Sequence, residues 1–336
     1  MPPDTASAPP RPVTPLRVLV CGRAGEFSTE SSLVRTAARL GHAARVLDVA
    51  GWTRRLGPLA PAVLLRQADR FAPDVVVLLR HAGRLDERTL AALAHRRRAF
   101  TWYMDFHDVP DAKVVRAGRV SERLFVTCPT MRDVYVRAGI ADVRWLPMAL
   151  DPEIDFPEPW APGEYECDVG FIGSGQFPER NALLARVATV ARLQIRGAGW
   201  ERGTALPVMG GTVRGEAFRH AVRGAAISLG AFATRRQASV PACISNRVWK
   251  VLGCGGFFLG PASPAAGVLY QDGRHVALYE DEDDAVAQVR HWLARPDERA
   301  AIAAAGRAHA LAHHTYERRL CAMLGDEPLP DPPAGC

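Results

Sequence analysis

Ser245–Pro261 reads SNRVWKVLGCGGFFLGP. Ser245 and Asn246 are preferred helix N-caps, and Val248, Val251 and Leu252 recur behind them at helical spacing. Gly253, Gly255 and Gly256 end that helix and let it pack closely on the apolar run Gly256–Gly260, which reads as a strand. A short helix passing through glycines into a buried strand is a fragment of an open α/β sheet. The free N–H groups at the helix start, with their partial positive charge, suit an anion such as a diphosphate. Asn246 and Lys250 stand at i and i+4 and share a face with that start.

Working outward, the same grammar recurs. Towards the N-terminus, strands are expected at Arg17–Cys21, Ala44–Val49, Asp74–Leu79, Ala99–Met104 and Arg123–Thr127, with helices at Ser31–Leu40, Leu59–Arg70 and Glu87–His95 between them. The pattern stops at Asp151–Glu166, which has four prolines, and restarts with strands at Asp168–Ile172, Leu193–Arg196 and Ala226–Leu229 and helices at Glu179–Ala191 and Gly215–Arg223. Helices Asp284–Ala294 and Pro296–His313 follow, and Thr315 caps a last helix running to about Leu324. Alternation of this kind implies parallel α/β sheets. The expected division is a flexible start (1–15), an N-terminal domain (16–150), a linker (151–166), a second α/β domain (167–305), C-terminal helices (306–325) and a tail (326–336).

Composition narrows the function. A chain of 336 residues with 48% hydrophobic content has room for two cored domains. Its net charge of +6 is almost all arginine, since Lys113 and Lys250 are the only lysines, and the cluster His95–Arg98 reads as a solvated helix end better than as a nucleic-acid footprint. Seven scattered cysteines without a C-x-x-C pair imply reduced thiols and no zinc site. No stretch is long and apolar enough to span a bilayer, and residues 1–15 lack a signal-peptide core, so a cytoplasmic location is expected. The oligomeric state is not readable.

In open parallel sheets, ligands bind beyond the carboxyl ends of the strands, so the loops there are the candidate sites. Gly22, Arg23 and Gly25 follow the first strand without the full dinucleotide spacing; substrate contact and a tight turn both fit. Asp105, His107 and Asp108 follow AFTWYM, where acid and imidazole groups can hold hydroxyls or move a proton, or where an aspartate caps the next turn. Gly173, Ser174 and Gly175 leave room for a ligand, and Arg180 can fork onto phosphate oxygens or lie on the surface.

At this point the residues resemble a known family. ISNRVWKVLGCGGFFL, the acidic YEDEDD segment and the closing HHTYERRL are similar to the C-terminal half of the CgeB-like, spore-maturation-type group-1 glycosyltransferases. DVGFIGSGQFPERNALL and IRGAGW look like that family's donor domain, and WYMDFHDVP like its N-terminal half. The resemblance implies a GT-B fold: two Rossmann-like parallel-sheet domains facing across a cleft, with the C-terminal helix crossing back to the N-terminal domain. It implies a metal-independent, retaining transfer of sugar from a nucleotide-diphosphate donor to a small-molecule, peptide or glycan acceptor, with the nucleotide sugar as co-substrate and no other cofactor. Carried over by position, Gly173, Ser174, Arg180, Ser245, Asn246 and Arg247 would face the donor phosphates, with Asp105 or His107 acting on the acceptor. His314, Thr315, Tyr316 and Arg319 would serve structure. Lys250 departs from the family's glutamate, and Ala242 stands where many group-1 enzymes have a second one. A lysine cannot accept a ribose hydroxyl's hydrogen bond. Three readings of Lys250 follow: contact with the diphosphate, exposure to solvent, or a degenerate donor site in a GT-B-fold binding protein.

Overall fold

The structure, a computed structural model, describes residues 14–106, 108–159, 163–201, 203–232 and 244–333. Two parallel sheets of six strands carry the chain. The first contains β1 (Arg17–Gly22), β2 (Ala43–Asp48), β3 (Val75–Leu78), β4 (Arg98–Tyr103), β5 (Arg123–Val126) and β6 (Val143–Trp145) in the order β2-β1-β3-β4-β5-β6. The second contains β7 (Cys167–Ile172), β8 (Leu193–Arg196), β9 (Val208–Gly210), β10 (Ala225–Leu229), β11 (Phe258–Pro261) and β12 (Ala277–Tyr279) in the order β12-β11-β10-β7-β8-β9. Strand order reverses between β1 and β3 in one sheet and between β7 and β10 in the other, which opens a crevice at the carboxyl end of each.

Helices cover both faces of each sheet, so central strands such as β3 are buried along their whole length and read as continuous apolar runs. The helices of the first half are α1 (Thr29–Arg39), α2 (Val49–Leu56), α3 (Ala60–Phe71), α4 (Glu87–Ala94), α5 (Ala112–Arg119) and α6 (Met131–Arg137). The second half adds α7 (Pro178–Ala188), α8 (Glu216–Arg223), α9 (Arg247–Gly253), α10 (Pro264–Leu269), α11 (Glu282–Leu293), α12 (Pro296–His313) and α13 (Tyr316–Leu324). The strand expected to reach Val49 ends at Asp48, because the Asp48 carboxylate accepts the Gly51 N–H at 3.0 Å and starts α2, a helix the sequence reading missed. Residues 306–313 continue α12 without a break.

The end of the chain returns to the first sheet. Thr315 caps α13 by accepting the Arg318 N–H, and Tyr316 packs edge-on against the buried Trp102, with ring centroids 6.1 Å apart. Arg319 is buried and donates to the carbonyls of Pro147 at 2.8 Å and Met148 at 3.2 Å. These contacts give the HHTYERRL segment its structural role, fastening the last helix beneath the N-terminal sheet.

A histidine cluster lies where α12 and α13 meet the second sheet. His314 stacks on Trp249 at 4.0 Å, and His275 stacks on His309 at 4.0 Å. Arg319 Nη2 lies 2.8 Å from His314 Nδ1 and can only donate, so the neutral ring carries its proton on Nε2, towards the Leu269 carbonyl. Burial lowers both His275, to about 4, and His314, with neighbouring arginines and histidines adding to the effect. A folded-state value below the unfolded one means stability is present above pH ~6.5 and lost as the pH falls, by about 1.4 kcal/mol per pH unit for each such histidine. The urea midpoint should therefore drop between pH 6.5 and 5, and His275→Phe should flatten that slope.

Candidate active site

The carboxyl ends of the two sheets face each other across a cleft of about 290 Å³. One wall is made by loops of the first sheet: Asp105 and Phe106 after β4, Thr127 and Cys128 after β5, and Met148 after β6. The other is made by Arg180 of α7, Ala231 and Phe232 after β10, and Ile244, Ser245 and Asn246 before α9. Sequence elements more than a hundred residues apart thus meet at one place, as the resemblance implies.

On the second wall, glycines knit the loops after β7 and β8 together. A Cβ on Gly173 would come within 2.7 Å of Arg247 Nη2, and one on Gly197, held at φ 152°, would overlap the Gly173 carbonyl oxygen. That oxygen instead accepts the Trp200 indole N–H at 3.1 Å. Arg180 donates to the Ser174 carbonyl at 2.8 Å and lies over the rings of Phe171 and Phe177. Arg247 donates to the Ile172 carbonyl at 2.6 Å and lies over the Phe171 ring, 4.7 Å from its centroid. Arg180 Nε and Arg247 Nη1 are buried without a hydrogen-bond partner, and no carboxylate among the described residues pairs with either guanidinium. Burial lowers Arg180 to about 10, and burial with repulsion from Arg180 lowers Arg247 to about 9, so both remain cations at neutral pH. Two adjacent, incompletely bonded cations thus lie beside the glycine loop. Asn246 begins α9 without a side-chain cap bond, and its Oδ1 is likewise unpartnered, while Ser245 Oγ accepts the Arg247 N–H at 3.3 Å.

Two expectations change. Lys250, grouped with the phosphate-facing residues by its spacing from Asn246, is absent from the cleft wall; its Nζ donates to Asp155 Oδ1 at 3.1 Å, beside the Phe218 ring. The helix that begins at Arg247 carries Lys250 one turn away from its start, towards the segment joining the sheets. Arg247 also departs, standing behind the Gly173 loop while Arg180 reaches the wall.

On the first wall, Asp105 Oδ2 lies 2.8 Å from Arg80 Nε. His107 and Ala242 lie outside the described residues. Asp108 is half-buried and not among the residues lining the cleft. Gly22, Arg23 and Gly25 form the turn into α1: Glu30 accepts the Arg23 N–H at 2.8 Å, and the Gly25 carbonyl accepts the Ser28 N–H at 3.0 Å. Arg23 borders a separate open cavity of about 620 Å³. Sequence reading missed Thr127, Cys128 and Met148; the first two end a strand that was recognised, so the strand-end rule applied to them as well. Within the His95–Arg98 cluster, Arg97 pairs with Asp69 at 2.9 Å and Arg98 with Glu122 at 3.6 Å. No metal-binding group of His, Cys, Asp or Glu and no helix long and apolar enough to cross a membrane occurs among the described residues.

Comparison with known proteins agrees with this geometry. Residues 180–325 match the family model described as glycosyl transferase-like. No curated protein matches the chain in sequence. Among solved structures, sucrose-phosphate synthase from Thermosynechococcus elongatus aligns with a TM-score of 0.63 at 11% identity, over 92% of this chain and 98% of that one. Anabaena HepE in complex with UDP-glucose gives 0.63 at 12% identity, over 92% and 98%. A glycosyltransferase from Rickettsia africae gives 0.65 at 8% identity, over 93% and 98%. The chain has the GT-B fold, and fold and family match agree on one enzyme class, glycosyltransferase.

Proposed function

We propose that this protein transfers a sugar from a nucleoside-diphosphate donor, with a uridine nucleotide as the first candidate, to an acceptor held by the N-terminal half. The observation that carries the reading is Arg180, which reaches the cleft wall beside the Gly173–Ser174 loop with Arg247 buried behind it, neither guanidinium paired to a carboxylate among the described residues. HepE, of the same fold, is seen with UDP-glucose, which favours uridine. The diphosphate would lie against Arg180, the Gly173–Ser174 backbone and the Ser245–Asn246 turn. The bond from the anomeric carbon to the diphosphate oxygen breaks, its electron pair leaves with the nucleotide, and a new bond forms from that carbon to an acceptor hydroxyl. Asp105 takes the hydroxyl proton. Charge developing on the leaving oxygen is stabilised by cations already in place, which is where electrostatic catalysis is largest. A cationic side chain can do this without a metal ion, and retention at the anomeric carbon follows the family resemblance. We place the reaction in the cytoplasm, where nucleotide sugars and reduced thiols coexist; Cys21, Cys167, Cys254 and Cys321 are free thiols.

One observation favours a second reading, a GT-B scaffold kept for binding: Lys250 is tied to Asp155 where the resembled family has a ribose-binding glutamate. Titrating the protein calorimetrically with UDP, GDP, dTDP, ADP and CDP, then incubating it with the matching nucleotide sugar, separates the two. Micromolar binding of one diphosphate with slow sugar release supports transfer. Binding without any release supports the scaffold, and no binding removes the donor site altogether.

A further inference from the structure

The large open cavity of the N-terminal half sits at the β1/β3 crevice, the place where an open parallel sheet binds its ligand. Arg23 comes from the loop after β1, Arg54 from α2, and His81 and Arg84 from the turn after β3. The side chains of Arg23, Arg54 and Arg84 have no ion-pair or hydrogen-bond partner among the described residues. The two nearby carboxylates are already engaged by backbone: Glu30 accepts the Arg23 N–H at 2.8 Å, and Asp48 accepts the N–H groups of Ala24 at 3.1 Å and Gly51 at 3.0 Å. Elsewhere in this half some arginines find carboxylates, as Arg80 does at Asp105, Arg35 at Asp151 and Arg97 at Asp69, and others, such as Arg66, Arg70 and Arg88, do not among the described residues. What distinguishes Arg23, Arg54 and Arg84 is that all three line one cavity. His81 registers the field they create: burial lowers its pKa first, Glu30 opposes, and Arg84, Arg80 and Arg23 lower it further.

We propose that the acceptor is anionic, bearing a phosphate or carboxylate group that Arg23, Arg54 and Arg84 hold at the β1/β3 crevice. The proposal rests on the glycosyl-transfer reading for the word acceptor, although the anion seat itself does not depend on it. Guanidinium forks match the paired oxygens of either group, and a charged end held there would leave the rest of the molecule to extend past His81 and Tyr103 towards Asp105. A smaller cavity of about 200 Å³, which shares His81 and Arg84 with the large one and Asp105 with the cleft, supplies that route.

The test is calorimetric titration of the nucleotide-free protein with glucose 6-phosphate, glucuronate and glucose, at low and at 0.3 M salt, in wild type and in Arg54→Ala, Arg84→Ala and Arg180→Ala. Arg54 and Arg84 are exposed, so their removal leaves the fold intact. Binding of a charged probe at least tenfold tighter than glucose, weakened by salt and at least tenfold by either crevice variant but not by Arg180→Ala, supports the proposal. Glucose 6-phosphate alone binding identifies phosphate, and glucuronate alone identifies carboxylate. Absence of binding, glucose binding equally well, or a loss confined to Arg180→Ala overturns it. UDP is titrated into the same samples: failure of UDP with a charged probe still bound sinks the transfer reading and leaves the anion seat standing.

Discussion

Arg180→Ala is expected to lower turnover by about 10²- to 10³-fold, the range seen when one preorganised donor to a developing oxyanion is removed. The side chain reaches the cleft from the first turn of α7, where its Nη1 is anchored on the Ser174 carbonyl and its Nε is left open. Fold stability should change little by comparison. Losing the bond to Ser174 costs about 1 kcal/mol, and relief of the repulsion that lowers Arg247 opposes that loss. Arg180→Lys should keep the charge but not the fork, and recover part of the rate. Steady-state release of sugar from the nucleotide donor, beside urea melts of the same samples, checks both halves. An Arg180→Ala protein that turns over at wild-type rate would remove this residue from the machinery, and one that unfolds would make its role structural.

Lys250→Glu should destabilise the protein by about 3–5 kcal/mol, because it breaks an ion pair at a buried carboxylate and sets a like charge beside it. Asp155 is 2% exposed; it accepts Lys250 Nζ at 3.1 Å and the Asp151 N–H at 3.0 Å. Burial raises the Asp155 pKa, and Lys250 first and then the Asp151 N–H oppose the rise. Lys250→Met should cost about 2 kcal/mol, less than a fully buried pair, since the lysine side chain retains 28% exposure. Lys250→Met combined with Asp155→Asn should recover most of that loss, because both charges then leave together. Urea melts of the three variants give the coupling directly. A Lys250→Glu protein that is as stable as wild type and transfers sugar faster would instead show a donor site that lost its glutamate.

Much of the architecture was legible because its signals are local. DVVVLL could only be a buried strand, PDERAAIAAAGRAHALAH could only be helix, and Thr315 announced the cap of α13. Some short elements escaped, α5 and α6 of 8 and 7 residues among them, although α4 and α9 of the same lengths were read. At the site, strand-end position was enough to single out Asp105, Arg180, Ser245 and Asn246, all of which reach the cleft. It was not enough for Lys250, whose partner Asp155 lies ninety-five residues earlier in a segment read as a linker. Helical spacing gives the face of a residue on its own helix and says nothing about which distant carboxylate waits there.

The return of α13 to the first sheet bears on how the molecule is made. Trp102 on that sheet is capped by Tyr316, and the carbonyls of Pro147 and Met148 find their donor in Arg319. On the ribosome, residues 17–145 emerge with all six strands of the first sheet, yet the part of that core around Trp102 stays uncovered by Tyr316 until some 170 further residues have been translated. The second sheet can be fully assembled before the first one is closed. Synthesis thus leaves a long interval in which the earliest-made part of the protein is the last to be finished, and a chaperone that shields Trp102 during that interval would have a defined place to act.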